Sequence, residues 1–235
     1  MEIETKILKD FQNVITMIEK SRKVKVLVAF LGGNMAYGLP EYDEMKHIVY
    51  VFVPLTDDDK KTTIFHNGNI GAKGYSISYF VGSVGHCNMT EMEIAHSPAF
   101  YVGDVDFCKK LSRLAKTAFS TDKAFAQYNG KSFKRNRPLY SIRHRLSCKW
   151  ILDNDKLPPS DFGQLVNATI GDENIRKEIL EMVQTEFDIR KHPNVEKYMT
   201  KMKWFVHAAE PMASKEAEKQ ALHLIAETQL KYQQR

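Results

Sequence analysis

The sequence contains few cysteines, and they follow no recognisable binding pattern. There are only three: Cys87, Cys108 and Cys148. An odd count without metal-type spacing argues against a structural zinc site and against a disulfide framework. We therefore expect reduced, mostly buried thiols and a cytoplasmic location.

Long apolar runs, internal repeats and low-complexity segments are also lacking. No stretch approaches the roughly 20 apolar residues that a membrane-spanning helix needs, and the charged start, MEIETKILKD, lacks the apolar segment of a signal peptide. The 235 residues are 43% hydrophobic and 27% charged, which predicts a soluble chain of one large domain or two small ones without membrane contact. The net charge of +5 favours a polyanionic partner only weakly.

The first 75 residues predict alternating helix and strand. Apolar residues recur at helical spacing near the start: Ile7, Phe11, Ile15 and Ile18. The β-branched runs KVKVLVAFLGG and HIVYVFVPL predict two strands, with Val26 to Phe30 pairing with Val49 to Val53. A weaker strand is predicted from Thr62 to His66. Three glycines predict a loop before YSISYFVGSVGH: Gly68, Gly71 and Gly74.

The rest of the sequence predicts helices. They are expected over 104–118, 121–129, the basic segment RNRPLYSIRHRLSCKWIL, 161–169, 173–187, 194–209 and 213–233. This segregation predicts an α+β protein, with a small mixed sheet in a domain of residues 1–100 and a helical domain of residues 101–235.

One stretch after the first strand is the most informative. Gly33-Asn34-Met35-Ala36-Tyr37-Gly38-Leu39 and, without a gap, Phe52-Val53-Pro54 resemble the pattern GS-x-AYGL, SD-x-D, RGIFVP. That pattern is typical of the predicted nucleotidyltransferases of the RlaP/YcgL type, in the DNA polymerase β superfamily. Asn34 stands in place of the serine.

Two further segments resemble the same family. Tyr75-Ser76-Ile77-Ser78-Tyr79-Phe80, followed by the run from Cys87 to Ile94, is similar to the family's YSLRKF and GNPTVLEL at the same spacing. A looser likeness lies in the basic helix from Tyr140 to Leu146. The resemblance covers residues 5 to 185, and it implies a nucleotidyltransferase-like fold. The family occurs in bacteria and their phages, often near RNA-repair genes.

The resemblance implies two-metal chemistry, but the metal ligands depart from it. Nucleotidyl transfer uses two divalent cations such as Mg²⁺, which prefer carboxylate oxygens. Two aspartates at i and i+2 of a strand would point to one face. In the ungapped register these positions hold Met45 and His47, and Lys73 stands near the third carboxylate position. We therefore expect a catalytically inactive member with no certain cofactor.

A shifted register keeps the enzyme alternative open. Sliding the motif by two residues recovers Asp43 as a first ligand, with Glu41 or Glu44 nearby, although Met45 still replaces the second. Under this alternative the protein binds Mg²⁺ through Asp43 and transfers a nucleotide from an NTP to RNA or protein. Under the simpler interpretation these acids form a solvated loop.

The resemblance also implies ligand-binding residues. Gly33, Asn34, Tyr37 and Asn88 are the candidates for nucleotide contact; alternatively, the glycines only form turns and Asn88 caps a helix. A basic cluster with aromatic neighbours predicts an RNA-binding track or, alternatively, a solvated helix face. Its candidate RNA-binding residues are Lys134, Arg135, Arg137, Arg143, Arg145 and Lys149.

Three functions therefore stay open at this stage. The leading hypothesis is an inactive descendant that binds a nucleotide, RNA or a protein partner through the former active-site cleft and the basic helical half. The second is the active enzyme. The third is a structural or inhibitory protein that works through its helices.

Overall fold

The computed structural model describes residues 5–39, 45–56, 61–97, 99–129, 138–184, 189–202 and 214–233. Packing divides the chain into two compact units. The first comprises 1–36, 41–118 and 213–235, and the second comprises 37–40 and 119–212. The second domain predicted from residue 101 stays a prediction; by packing, residues 101–118 and the C-terminal helix belong with the sheet.

The first unit is built on a five-stranded mixed sheet of order β3-β4-β2-β1-β5. The strands are β1 (Val24–Leu31), β2 (Lys46–Pro54), β3 (Thr62–Asn67), β4 (Ile70–Ser76) and β5 (Ala99–Val102). β1 and β2 are antiparallel, with Ala29 opposite Tyr50, which confirms the predicted pairing of these two segments. β4 runs parallel to β2 on its other side.

Helices cover both faces of this sheet. α1 (Thr5–Arg22) buries its apolar stripe against residues of one face, including Ile48, Tyr50 and Phe52 of β2. The alternate residues Val51 and Val53 are equally buried and point the other way. Among the described residues, four further helices belong to this unit: α2 (Ile77–Gly85), α3 (Met89–His96), α4 (Val105–Ala118) and α10 (Lys215–Gln233).

The C-terminal helix α10 is tied to this unit by close packing and by charge. It packs on α2 and α4. A Cβ added to Gly85 of α2 would lie 2.9 Å from the Ala221 Cβ, so the two helices approach closely. Buried Asp104, just before α4, accepts hydrogen bonds from Lys231 Nζ at 2.7 Å and Tyr232 Oη at 2.9 Å.

Two strands were not predicted from the sequence. Gly68 lies in the turn before β4, as expected, but Gly71 and Gly74 lie within β4. Glycines in a strand allow close approach of neighbouring side chains. A Cβ on Gly74 would overlap the Tyr50 ring, and one on Gly71 would press on His47. β5 has only four residues and returns to β1 from within the region expected to be helical.

The second unit is helical. Its elements are α5 (Thr121–Asn129), α6 (Pro138–Asn154), α7 (Phe162–Thr169), α8 (Glu173–Gln184), a short 3-10 turn (Ile189–Lys191) and α9 (Pro193–Lys201). The basic helix α6 buries its apolar residues, such as Ile142 and Leu146, and it also buries Ser141, Arg143 and Ser147. None of the helices in the described ranges has both the length and the apolar character that crossing a membrane requires.

Candidate functional site

The residues at the expected metal-ligand positions share one face of the sheet. His47 of β2 pairs with Gly71 of β4, and Val49 pairs with Lys73 in the next row. Residues two apart on a strand point to the same side, so Met45, His47 and Lys73 lie on one face. A Cβ added to Gly71 would lie 3.2 Å from His47 Nδ1 and 3.3 Å from Met45 Sδ, so both side chains lie over this glycine. We call Met45, His47 and Lys73 the former metal-binding face.

This face does not suit Mg²⁺. The cation prefers hard oxygen ligands, whereas the three positions offer a thioether, an imidazole and an ammonium group. In the part of the chain that the structure describes, no group of three or more His, Cys, Asp or Glu residues could hold a metal ion. Asp43, Glu41 and Glu44 lie outside the described residues, so the catalytic role of Asp43 stays a prediction.

The glycine turn after β1 lies against the end of β2. The Gly32 N–H donates to the His47 carbonyl at 2.8 Å. A Cβ on Gly32 would lie 3.2 Å from the same carbonyl group, so a larger residue would push the two strands apart. Gly33 follows with a positive φ of 57° and is exposed, while Asn34 is buried in a 3-10 turn. Gly33 and Asn34, two predicted nucleotide-binding residues, therefore stand beside the former metal-binding face.

The second half of the same motif packs within the helical unit. The Arg143 guanidinium lies 4.0 Å from the centroid of the Tyr37 ring, and Tyr37 contacts Tyr140 edge-to-face. Leu39 is part of the apolar core of this unit. Gly38 has a φ of +68°, and a Cβ there would overlap the Asp161 carboxylate. Tyr37, predicted to bind nucleotide, thus has a packing role, and its contact with a ligand stays a prediction.

Asn88, the fourth predicted nucleotide-binding residue, caps a helix. Its side-chain oxygen accepts a hydrogen bond from the Thr90 N–H at 3.1 Å, at the start of α3. Of the two roles that the sequence left open, capping is confirmed. Contact with a nucleotide is untested, although the exposed position of Asn88 is compatible with it.

Two tyrosines adjoin the former metal-binding face at Lys73. Lys73 Nζ lies 4.8 Å from the centroid of the Tyr75 ring, and that ring is stacked on Tyr79, 5.5 Å away at an interplanar angle of 5°. Ser76 caps α2 by accepting from the Tyr79 N–H, which fixes Tyr79 in the first turn. A hydrogen bond to the Tyr75 side chain raises the pKa of Lys73, so its ammonium stays charged.

Glu91 on α3 carries a carboxylate that interacts electrostatically with Lys73. The residue is 3% exposed, and its Oε2 atom has no hydrogen-bond partner among the described residues. Burial raises the pKa of Glu91, and the positive charge of Lys73 acts in the opposite direction. No sequence pattern connects Lys73 with Glu91, because the two residues lie on different elements, β4 and α3, and the segment around Lys73 was expected to be a loop.

The described part of the basic cluster is engaged inside the helical unit. Arg143 is 1% exposed and covers Tyr37. Arg145 donates to the Met202 carbonyl at 2.5 Å, and Lys149 forms an ion pair with Asp153 at 2.6 Å. Three members lie outside the described residues: Lys134, Arg135 and Arg137. RNA binding by this cluster stays a prediction, and the burial of Arg143 means that it presents no free surface charge.

Comparison with known proteins agrees with the motifs. Residues 7–227 match the model of RlaP, the RNA repair pathway DNA polymerase beta family. The uncharacterized protein YcgL of Bacillus subtilis (strain 168) is 22% identical over 181 residues, which cover 69% of this chain and 70% of that protein. A crystal structure of a nucleotidyltransferase-like protein from Exiguobacterium sibiricum 255-15 aligns with 96% of this chain and 78% of its own at 9% identity, with a TM-score of 0.34. Because the family model spans nearly all of the sequence, the chain belongs to the RlaP family of DNA polymerase β-type proteins.

Proposed function

We propose that this member of the family binds a nucleotide or RNA and does not carry out metal-dependent nucleotidyl transfer. One observation carries the proposal: Met45 and His47, at the two aspartate positions of the motif, and Lys73, near the third carboxylate position, share one sheet face. A face with two strand-borne aspartates would hold the cations and activate the attacking hydroxyl. The ammonium group of Lys73 repels Mg²⁺, and the thioether of Met45 and the imidazole of His47 are poor ligands for it.

The retained half of the motif supports binding. The turn at Gly33 and Asn34 is kept beside this face, and Gly33 is exposed with a positive φ. Glycine turns of this kind let backbone N–H groups approach phosphates closely. Loss of the carboxylates removes the metal ligands but leaves this turn in place.

A transfer assay tests the catalytic half of the proposal. Incubation with labelled NTPs, Mg²⁺ or Mn²⁺, and RNA or bulk protein acceptors should leave nothing labelled. If labelling occurs and an Asp43→Asn change removes it, the shifted register and the active-enzyme alternative are right. The matched control is Asp106→Asn, an exposed aspartate on α4, which should leave any labelling unchanged.

A binding assay tests the other half. Binding of nucleotide or short single-stranded RNA is measured as a function of salt, because phosphate contacts release counterions and give a log–log slope of about −0.7 per contact on single strands. Binding with a measurable slope supports the proposal. If neither ligand binds, the protein-partner interpretation gains, and the engaged side chains of α6 would agree with it.

A further inference from the structure

Lys73 stands near the position where the family pattern calls for the third carboxylate, and it is exposed on the sheet face. The residue is exposed, and its Cα is paired with Val49 of β2, one row beyond the His47–Gly71 pair. A lysine cannot hold a divalent cation, since an ammonium group has only donors and carries the same sign of charge. It can instead contact the phosphate that the cation would have bound.

Lys73 on β4 and Glu91 on α3 both differ in charge from the family pattern. Glu91 occupies the position of the valine in the segment GNPTVLEL, so an acid has appeared on α3 where the pattern is apolar. Its buried carboxylate has an oxygen without a hydrogen-bond partner among the described residues, and Lys73 is its cationic neighbour. A buried carboxylate is costly unless a cation is near, so Glu91 favours keeping the ammonium in place.

An aromatic surface adjoins the ammonium. Lys73 and Tyr79 both flank the ring of Tyr75, which is itself buried. Tyr79 is 36% exposed, so part of its ring is open to solvent. A base stacks on such a ring whatever its identity, and the ammonium beside it suits the phosphate of the same nucleotide.

We propose that Lys73 takes over the role of the metal charge, contacting a phosphate while the base of the same nucleotide stacks on Tyr79, so that binding requires no divalent cation. This inference rests on the proposed function and deepens it. The ligand chemistry is a base next to a phosphate. It can come from a free nucleotide or from the phosphorylated end of an RNA strand, and the experiment below separates the two.

The test measures binding of ATP, of a 5′-phosphorylated single-stranded RNA of about ten nucleotides, and of adenosine, each with EDTA and with Mg²⁺. We expect the unmodified protein to bind one of the phosphorylated ligands with the same Kd in both conditions. The tighter ligand identifies the source. Adenosine should bind far more weakly, because it lacks the phosphate.

The substitutions separate charge from stacking. Lys73→Gln should weaken binding at least tenfold, as expected for the loss of one charge-assisted contact. The log–log slope of binding against salt should become shallower by the value for about one phosphate contact. Lys109→Gln, which removes an exposed lysine on α4, is the matched control and should change neither. Tyr79→Leu should weaken binding about fivefold or more, whereas Tyr79→Phe, which keeps the ring, should not.

Each failure has its own meaning. If the unmodified protein binds only with Mg²⁺, or if Lys73→Gln binds as Lys109→Gln does, the inference is overturned and the proposed function stands. If the unmodified protein binds no ligand in either condition, both are overturned. The metal dependence is measured on the unmodified chain, so the inference stays testable even if a variant does not fold.

Discussion

The two charged regions of the molecule treat their charges in opposite ways. On α6 of the helical unit, each described Arg or Lys has a partner in the same unit: Arg143 covers an aromatic ring, Arg145 donates to a carbonyl, and Lys149 forms a partly exposed ion pair with an acid. On the sheet of the first unit, Lys73 is exposed beside aromatic rings, and its acidic neighbour Glu91 is buried with an oxygen unsatisfied by any described residue. The basic residues of α6 are more densely clustered in the sequence, yet their side chains are less accessible to a ligand than that of Lys73.

This difference shows that a cluster of charged residues along the sequence does not tell how accessible their side chains are in the fold. A helix that is buried on several sides must turn some of its basic residues inward, where they need partners of their own. A single lysine on a strand has its direction fixed by the pleat. The predictions below test whether charge is structural on α6 and functional on the sheet, from the largest expected effect on stability to the smallest.

Arg143→Ala should destabilise the helical unit by about 2–4 kcal/mol. The change removes a large buried side chain and leaves a void beneath the Tyr37 ring, as in other large-to-alanine substitutions. Urea unfolding measures the effect, and Arg113→Ala, on the exposed side of α4, is the control and should cost little. Unchanged stability together with weakened RNA binding would show that Arg143 is a phosphate contact, as the sequence predicted.

Asp104→Asn should cost about 1–2 kcal/mol at neutral pH. Burial alone would raise the pKa of Asp104, but hydrogen bonds from Lys231, the Phe107 N–H and Tyr232 together hold it below its ordinary 3.8. The stability from a lowered pKa is present above the unfolded value and is lost as pH falls through the folded one. The difference between the variants should therefore shrink below about pH 4. A pH-independent difference in thermal unfolding would contradict the ionic origin.

Glu91→Gln should stabilise the first unit by about 1 kcal/mol at neutral pH, because it removes a buried charge that is incompletely satisfied. Burial raises the pKa of Glu91 in the folded protein above its ordinary value of 4.5. The resulting stability is fully present below pH 4.5, where the group is protonated in both states, and it is lost as pH rises through the folded pKa. The advantage of glutamine should vanish below about pH 4.5. Glu173→Gln, on the exposed surface of α8, is the control.

A destabilising Glu91→Gln change at neutral pH would mean that the carboxylate is held by a strong ionic contact. Lys73 would then be committed to Glu91, and the contrast with α6 would disappear. The stability changes of the Asp104 and Glu91 variants should thus depend on pH with opposite signs, although both residues lie in the first unit of the fold. Measuring the two together is therefore a sharper test than measuring either alone.

Lys149→Ala should have the smallest effect, about 0.3–0.5 kcal/mol, since its pair with Asp153 is a partly exposed i,i+4 ion pair. A double-mutant cycle with Asp153→Ala isolates the coupling, which high salt should erase. If Lys149→Ala also weakens RNA binding by the same factor for different sequences, the basic-helix prediction regains support. A coupling above about 1 kcal/mol would contradict the surface assignment.

The sequence predicted most of the regular elements because their patterns are local. The β-branched runs around Ala29 and Val51 and the periodic helices are determined by short windows of residues. The α+β fold and the family followed from those patterns and from the Gly33–Leu39 motif, and both are confirmed.

What the sequence could not provide depends on distant partners. Gly71 and Gly74 were interpreted as a loop because the residues that require their small size, His47 and Tyr50, lie on another strand. The burial of Arg143 depends on Tyr37, more than a hundred residues earlier, and no periodicity in α6 indicates it. Likewise, the neighbours Lys73 and Glu91 are joined only by the packing of α3 against the rest of the first unit.

The position of α10 has a consequence for how the protein is made. The sheet unit is assembled from three stretches of the chain, and its last helix comes from residues 215–233. During synthesis, α2 and α4 therefore leave the ribosome long before the helix that covers them, while the helical unit already has all its segments by residue 212. The sheet unit, begun first, is completed last. Until α10 has been synthesised, Gly85 and the carboxylate of Asp104 lack their partners, and the surfaces of α2 and α4 that α10 covers are exposed. Exposed apolar surface at this stage favours aggregation.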